Sequence, residues 1–308
     1  MKQVLNKRKT EQRNPLSEGI DLRSIPEILE IINREDSKIT DAISLELDRI
    51  GEAVRRVIDT LRIGGNVYFI GSGTSGRMGV LEAAEIPPTY GIPPKRFQAI
   101  IAGGREAVFR SIEAAEDSEE GGEKALKEAG IVKDDLIFGV SASGSTPFVI
   151  GAIKYAADNG NQTIGLSCNP DTPLSKQVTV PIEVITGPEV VAGSTRMKAG
   201  TAQKMVLNMI TTTALIKMGL VYDGYMVGVQ AWNEKLVERS IQIIRKLACV
   251  SEEEAKRLLE KGEWDVRAAL ILSLTELETC EAKSKLEKNY TIREILADSK
   301  QGKGLSGK

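Results

Sequence analysis

Two hydroxyl-rich turns carry the residues best suited to chemistry in this chain. GSGTSGRMG, Gly71–Gly79, follows the apolar run NVYFI, and SASGSTP, Ser141–Pro147, follows DLIFGV. A strand, a glycine-rich bend and a helix start together aim backbone N–H groups and the positive helix end at one point, which attracts an anion such as phosphate. Neither turn holds the lysine of a nucleotide loop. Hydroxyls from Ser72, Thr74 and Ser75 in the first turn and from Ser141, Ser143, Ser145 and Thr146 in the second suffice for one phosphate dianion. Thr146 stands at an N-cap position and Pro147 at the first helical residue. Serine and glycine also make tight turns for purely structural reasons, but two such turns after two apolar runs argue for a shared ligand. A dinucleotide reading fits poorly: Gly71, Gly73 and Gly76 spell GxGxxG, yet PPTYG stands where an acidic residue should close a second strand about 20 residues on. A third stretch, GPEVVAGSTRMKAGTAQK from Gly187 to Lys204, brings Glu189, Ser194, Thr195, Arg196 and Lys198 toward the same rim, partly as lining and partly as subunit contact.

The chain has no histidine, which removes the commonest acid/base group and the commonest metal ligand together. Proton transfer must fall to Glu, Asp, Lys, Tyr or Cys. Cys168, Cys249 and Cys280 are odd in number and widely separated, matching neither a disulfide framework nor a Cys-x-x-Cys metal site. They read as packing residues in a reducing compartment. With 41 basic and 43 acidic residues spread along the length, a formal charge of -2 suggests neither a nucleic-acid nor a membrane surface. The partner expected is a small molecule. No run of roughly 18 apolar residues occurs and the charged N-terminus lacks an apolar core, so a cytoplasmic protein is expected.

The elements that position these residues follow from hydrophobic spacing. Residues 1 to about 24 are polar and pattern-poor, an arm that is disordered or laid against a neighbour. Ile43, Leu47, Ile50, Val54, Val57, Ile58 and Leu61 recur at helical steps up to Gly64-Gly65. Short apolar runs then alternate with helical segments, at 66, 97, 135, 162 and 180, which predicts a doubly wound α/β domain: a parallel five-stranded sheet flanked by helices. Ligands of that architecture sit outside the carboxyl ends of the strands, where both turns fall. From Met197 no strand-like run appears. A long helix ending at Gly219 leads to short amphipathic helices at 251, 264 and 276, a small C-terminal three-helix domain, and a flexible tail.

GSGTSGR, SASGSTP and GPEVVAGSTRMKAGTAQK resemble the sugar isomerase domain family, whose members bind phosphosugars with hydroxyl-rich loops. A narrower resemblance is carried by GTSGRMGVLEAAEIPPTYG, IAGGREAVFRSIEAAEDSEEGG, NP after GLSC, and the N-terminal TEQRN. Across nearly the whole chain these are similar to the N-acetylmuramic acid 6-phosphate etherase family. The organisation implied is an N-terminal arm and first helix (1–45), a phosphosugar-binding sugar isomerase domain (46–245), the three-helix domain (246–298) and the tail (299–308). The resemblance implies cleavage of the lactyl ether of N-acetylmuramate 6-phosphate, by elimination and then water addition, giving N-acetylglucosamine 6-phosphate and D-lactate in amino-sugar recycling. It implies a homodimer with no metal or cofactor.

The family's catalytic glutamates fall on Glu85 and Glu116. Pro87-Pro88 is expected to stop the helix begun near Ser75, leaving Glu85 near a helix C-terminus whose negative end favours a protonated acid. Glu116 lies in an acidic run whose bland reading is a solvated face and whose neighbouring charges suit a base. The assigned substrate- or phosphate-binding residues are Ser72, Thr74, Ser75, Ser141, Ser143, Ser145, Thr146, Glu189, Ser194 and Lys198, with Lys198 or Arg196 steadying the lactyl carboxylate. Two other readings stay open: a non-catalytic phosphosugar-binding regulator resembling glucokinase regulatory protein, and a phosphosugar isomerase, which moves a C2 proton without releasing lactate.

Overall fold

Three helices precede the first strand: α1 (Ile25–Asp36), α2 (Ile39–Ser44) and α3 (Leu47–Arg62). In the computed structural model, which describes residues 8–229 and 234–304, the periodic segment from Ile43 to Leu61 is therefore not one helix. Ile43 is buried at the end of α2, the chain turns at Leu45 and Glu46, and Leu47 opens α3 half-exposed. Spacing of three and four residues fits an interrupted helix as well as a continuous one, so the break left no mark in the pattern. Gly64, at φ 95°, ends the segment as expected.

The five apolar runs form one parallel sheet. Its strands are β1 (Val67–Gly71), β2 (Phe97–Ile101), β3 (Leu136–Val140), β4 (Gln162–Ser167) and β5 (Val180–Glu183), in the order β2-β1-β3-β4-β5. All four pairings are parallel. Every residue of β1 and β3 is buried, which explains why neither run alternates with polar residues. On one face Phe69 packs against Phe97 and Phe138, ring centroids 6.3 and 5.6 Å away. Tyr68, Ile70 and Ile137, pointing the other way, join Val149, Ile153 and Leu174. Pro181 is confined to β5, an edge strand, where a missing N–H does the ladder least harm.

Helices follow four of the five strands. β1 leads into α4 (Gly73–Tyr90), β2 into the short α5 (Glu106–Phe109) and then α6 (Glu119–Ala129), β3 into α7 (Pro147–Asp158), and β5 through a long rim segment into α8 (Lys198–Lys217). Pro87 and Pro88 lie inside α4 rather than ending it. Their missing N–H groups remove bonds to the preceding turn, but Ile86 is 2% exposed and Gly91 N–H closes onto the Pro87 carbonyl at 2.9 Å, so the last turn survives. Glu85 consequently stands ahead of the final turn, and the argument that a helix end favours its acid form loses its geometric basis, since that field falls off within the last turn.

Contacts divide the chain into one unit of residues 1–84 and 94–211 and another of 85–93 and 212–308. In the latter, a hairpin joins β6 (Val221–Tyr222) to β7 (Tyr225–Met226) through Asp223 and Gly224, whose φ values of 49° and 81° mark a primed turn. No strand was expected beyond Met197; two-residue strands are too short to show alternation, and Asp-Gly was the available signal. The helices expected at 251, 264 and 276 are α10 (Glu252–Lys261), α11 (Val266–Leu274) and α12 (Thr279–Glu287), preceded by α9 (Glu234–Ala248) and followed by α13 (Ile292–Gly304). Their core is shared by all five, because Ile243 and Ile244 of α9 and Ile292 and Ile295 of α13 pack with Leu259, Leu270 and Ala282. α13 also takes up most of the stretch expected as a tail from 299; residues 305–308 lie outside the described residues. Of the cysteines, all free, only Cys168 is buried, whereas Cys249 and Cys280 are exposed and do not pack as expected. No helix among the described residues is long and apolar enough to cross a membrane.

Candidate active site

β1 and β3 are neighbours whose crossovers leave toward opposite sides of the strand order, the switch point at which an open parallel sheet forms a crevice. Ser72 follows β1 and Ser141 follows β3, so the topology brings the two hydroxyl-rich turns to adjacent strand ends. Glycine is required in the first turn by close approach: a Cβ on Gly76 would stand 2.6 Å from Ile101 Cγ1 and 2.9 Å from the Gly71 carbonyl oxygen.

Glu116 reaches this crevice. Ser72 Oγ donates to Glu116 Oε2 at 2.5 Å, and the Glu116 carbonyl accepts the Phe148 N–H of α7 at 3.0 Å. One residue therefore ties the first turn, through its side chain, to the helix that leaves the second turn, through its backbone. The neighbouring acids are used elsewhere: Glu119 pairs with Lys154 at 2.6 Å, and Glu120 accepts from Ser118, which also caps α6. Ala114, two residues before Glu116, is held at φ 60°, a left-handed conformation costly for a residue with a Cβ and of the kind found at functional sites. The segment walls a cavity of about 310 Å³ whose lining includes Ser72, Arg77, Arg110, Glu113, Glu116 and Asp117.

In the second turn Ser141 is buried, its Oγ sharing a hydrogen bond with Thr146 Oγ1 at 2.8 Å and accepting the Gly144 N–H at 3.1 Å. Ser143 Oγ accepts from both the N–H and the hydroxyl of Ser145, at 3.3 and 3.2 Å. Ser143, Ser145 and Thr146 remain half-buried at the opening. Thr146 is the N-cap residue of α7 and Pro147 its first, as expected, but the threonine hydroxyl bonds Ser141 rather than capping. Of the other first-turn residues, Thr74 is half-buried against the start of α8, its methyl 3.0 Å from where a Cβ on Gly200 would be. Ser75 is buried and donates to Gln203 Oε1 at 2.9 Å, and Gln203 Nε2 has no partner among the described residues.

In the third stretch, Glu189 and Lys198 meet other groups of the protein. Both oxygens of Glu189 accept helix amides, Oε1 from Ala199 at 2.9 Å and Oε2 from Lys198 at 3.0 Å, so this fully buried carboxylate caps α8. Burial pushes its pKa up, while the two amides pull the other way. Burial, and then the charge of Glu189, likewise push the Cys168 thiol up. Lys198 Nζ is buried against Glu35 Oε2 at 2.5 Å and so is withdrawn from a lactyl carboxylate, whereas Arg196 is exposed. Ser194 is half-buried in a turn closed on the Val191 carbonyl.

The N-terminal arm, expected to be disordered or laid against a neighbour, docks from Thr10 onward on its own chain. Thr10 is fully buried and exchanges hydrogen bonds with Asn169 beyond β4; its carbonyl accepts the Gly193 N–H at 3.1 Å. Asn14 donates to the Pro188 carbonyl and Ser17 to that of Val190. The arm from Thr10 to Ser17 is therefore laid along its own sheet rim and pins the 188–193 segment. TEQRN and the Asn-Pro after β4 were visible, but residues 159 apart in sequence give no local sign of meeting.

Comparison with known proteins bears on this crevice. The model of the glucokinase regulatory protein N-terminal SIS domain matches residues 49–157 and that of the SIS domain residues 117–213. The chain is 46% identical over 280 residues, 91% of its length and 92% of the relative's, to an N-acetylmuramic acid 6-phosphate etherase of Clostridium beijerinckii. The chain belongs to the N-acetylmuramic acid 6-phosphate etherase family. An etherase of Salinibacter ruber is likewise 46% identical, over 90% of each chain. A Bacteroides fragilis structure, described as a candidate phosphosugar isomerase involved in capsule formation, shares the fold at a TM-score of 0.50 and 20% identity, covering 64% of this chain and 95% of that one. Of the two glutamates expected to be catalytic, Glu116 reaches the crevice and Glu85 lies on α4. Glu85 stands twelve residues beyond Gly73 in α4.

Proposed function

We propose that this protein is a carbon-oxygen lyase that cleaves the D-lactyl ether of N-acetylmuramic acid 6-phosphate, releasing D-lactate and N-acetylglucosamine 6-phosphate. The single observation that carries this reading is Glu116 held by Ser72 at the switch point, beside a turn of half-buried hydroxyls, in a chain of this family. The half-buried hydroxyls of Ser143, Ser145 and Thr146, near the start of α7, take the phosphate. Glu116 removes the proton on C2 of the opened sugar, which is acidic beside the aldehyde, and a second carboxyl protonates the lactate oxygen leaving C3. Water then adds at C3 with the two roles reversed. That second carboxyl is Glu85.

An acid and a base serving adjacent carbons must each lie within roughly 3 Å of the atoms they serve. We assign the acid to Glu85, in a homodimer whose subunits complete each other's sites. Exposed apolar side chains near α1, Leu22 and Leu45 both at 86%, with Ile25 and Leu29, support self-association. The reading is of a cytoplasmic enzyme, consistent with three free cysteines. In deuterated water, the substrate is expected to yield D-lactate and deuterium at C2 of the amino sugar. A phosphosugar-binding regulator gives neither product and an isomerase gives no lactate; either result ends the etherase reading.

A further inference from the structure

We propose that Arg77 holds the carboxylate of the lactyl ether and so makes the site specific for a muramyl substrate; this rests on the etherase reading. Arg77 lines the same cavity as Ser72 and Glu116. Its Nε donates to the Val108 carbonyl at 2.9 Å, which fixes the plane of the guanidinium. Of the five donors a guanidinium carries, this is the one engaged among the described residues, and Arg77 forms no ion pair with them. The side chain is half-buried on α4, a rigid helix, and the cavity also holds Glu113, Glu116 and Asp117. A guanidinium in that setting, with its outer edge unused, is built for a planar two-oxygen anion.

Two other cations are already paired. Arg110, on the same cavity, pairs with Glu106 at 3.1 Å, and Lys198 is sealed against Glu35. The substrate carries two anions, the phosphate on C6 and the lactyl carboxylate on the C3 ether. None of the hydroxyls of Ser143, Ser145 and Thr146 lines this cavity, so the phosphate's place is elsewhere in the crevice. Glu116, which serves C2, is within it, and C3 is the next carbon. The anion that belongs beside Glu116 is the carboxylate.

The test measures binding without turnover. In a Glu116→Gln background, calorimetry compares N-acetylmuramate 6-phosphate, its lactyl amide and N-acetylglucosamine 6-phosphate, with and without Arg77→Met. Loss of the arginine is expected to weaken the carboxylate ligand by about 10-fold or more and to leave the amide and the lactate-free sugar within about twofold. Arg77→Lys, which keeps the charge but not the fork, should recover only part of the loss. If all three ligands weaken together, Arg77 acts through Val108 or the phosphate, and the assignment is overturned. If the Glu116→Gln protein with Arg77 intact binds no muramyl ligand while binding N-acetylglucosamine 6-phosphate, the etherase reading itself fails and takes this assignment with it.

Discussion

Glu116 illustrates what a single residue owes to its surroundings. Five carboxylates stand between Glu113 and Glu120, and the ordinary reading of such a run is a solvated surface. That reading holds for Glu119 and Glu120, whose partners are Lys154 and Ser118, and not for Glu116, which alone of the run meets Ser72. Glu116→Gln is expected to lower kcat by about 10² to 10⁴-fold, with the dissociation constant of N-acetylglucosamine 6-phosphate near that of the native enzyme; steady-state kinetics and calorimetry check both halves. Glu35 has a structural task. Burial would raise its pKa, but hydrogen bonds from Lys198, Lys38 and Asn14 outweigh that and hold it at about 2, below its ordinary value of 4.5. Ionised Glu35 therefore contributes stability that is fully present above pH 4.5 and is lost as the pH falls toward 2, on the order of 3 kcal/mol. Glu189 and Glu46, both raised chiefly by burial, work the other way, so the informative quantity is a difference between proteins. Glu35→Gln should cost about 3 to 5 kcal/mol near neutral pH by leaving Lys198 buried and unpaired. Urea titrations should show that gap closing below pH 4.5; a gap independent of pH would refute the assignment.

Among the elements, α6 and α7 set the site's dimensions. A Cβ on Gly122 would lie 1.9 Å from the Phe148 carbonyl oxygen, and one on Gly151 would lie 2.0 Å from that of Glu119. Backbone cannot move aside as a flexible side chain can, so the two helices touch at their glycines. Their N-termini carry the two halves of the site, because Glu116 precedes α6, the second hydroxyl turn precedes α7, and the bond from Phe148 N–H to the Glu116 carbonyl spans them. Gly151→Ala is expected to destabilise the fold by about 1 to 3 kcal/mol and to lower kcat as well, since parting the helices moves Glu116; thermal melts and turnover measure the two effects. A variant that melts lower yet turns over normally would show that this contact does not position the base. Glycine inside a helical stretch reads in sequence as a weakness, and its use as a close contact is visible only when the neighbouring helix is known.

For the whole molecule, a homodimer whose subunits complete each other's sites makes a sharp expectation. Glu85→Gln and Glu116→Gln homodimers, each inactive, should on mixing and subunit exchange recover about a quarter of native activity, because half of the dimers become mixed and each of these holds one intact site across a two-fold interface. No recovery would mean that both glutamates act within one chain. The sheet, its five strands and the turn residues at its rim were legible in the sequence because buried parallel strands have a composition and glycine-serine bends a local chemistry. So were the helices at 251, 264 and 276. The pairing of Ser72 with Glu116, the use of Glu189 as a helix cap, the withdrawal of Lys198 to Glu35 and the docking of Thr10 on Asn169 were not. Periodicity and turn signals report what a residue does with neighbours a few positions away. Which polar group another one satisfies, across gaps of 9 to 163 residues, depends on strand order and helix packing, and burial then decides which of these groups is left to meet a ligand.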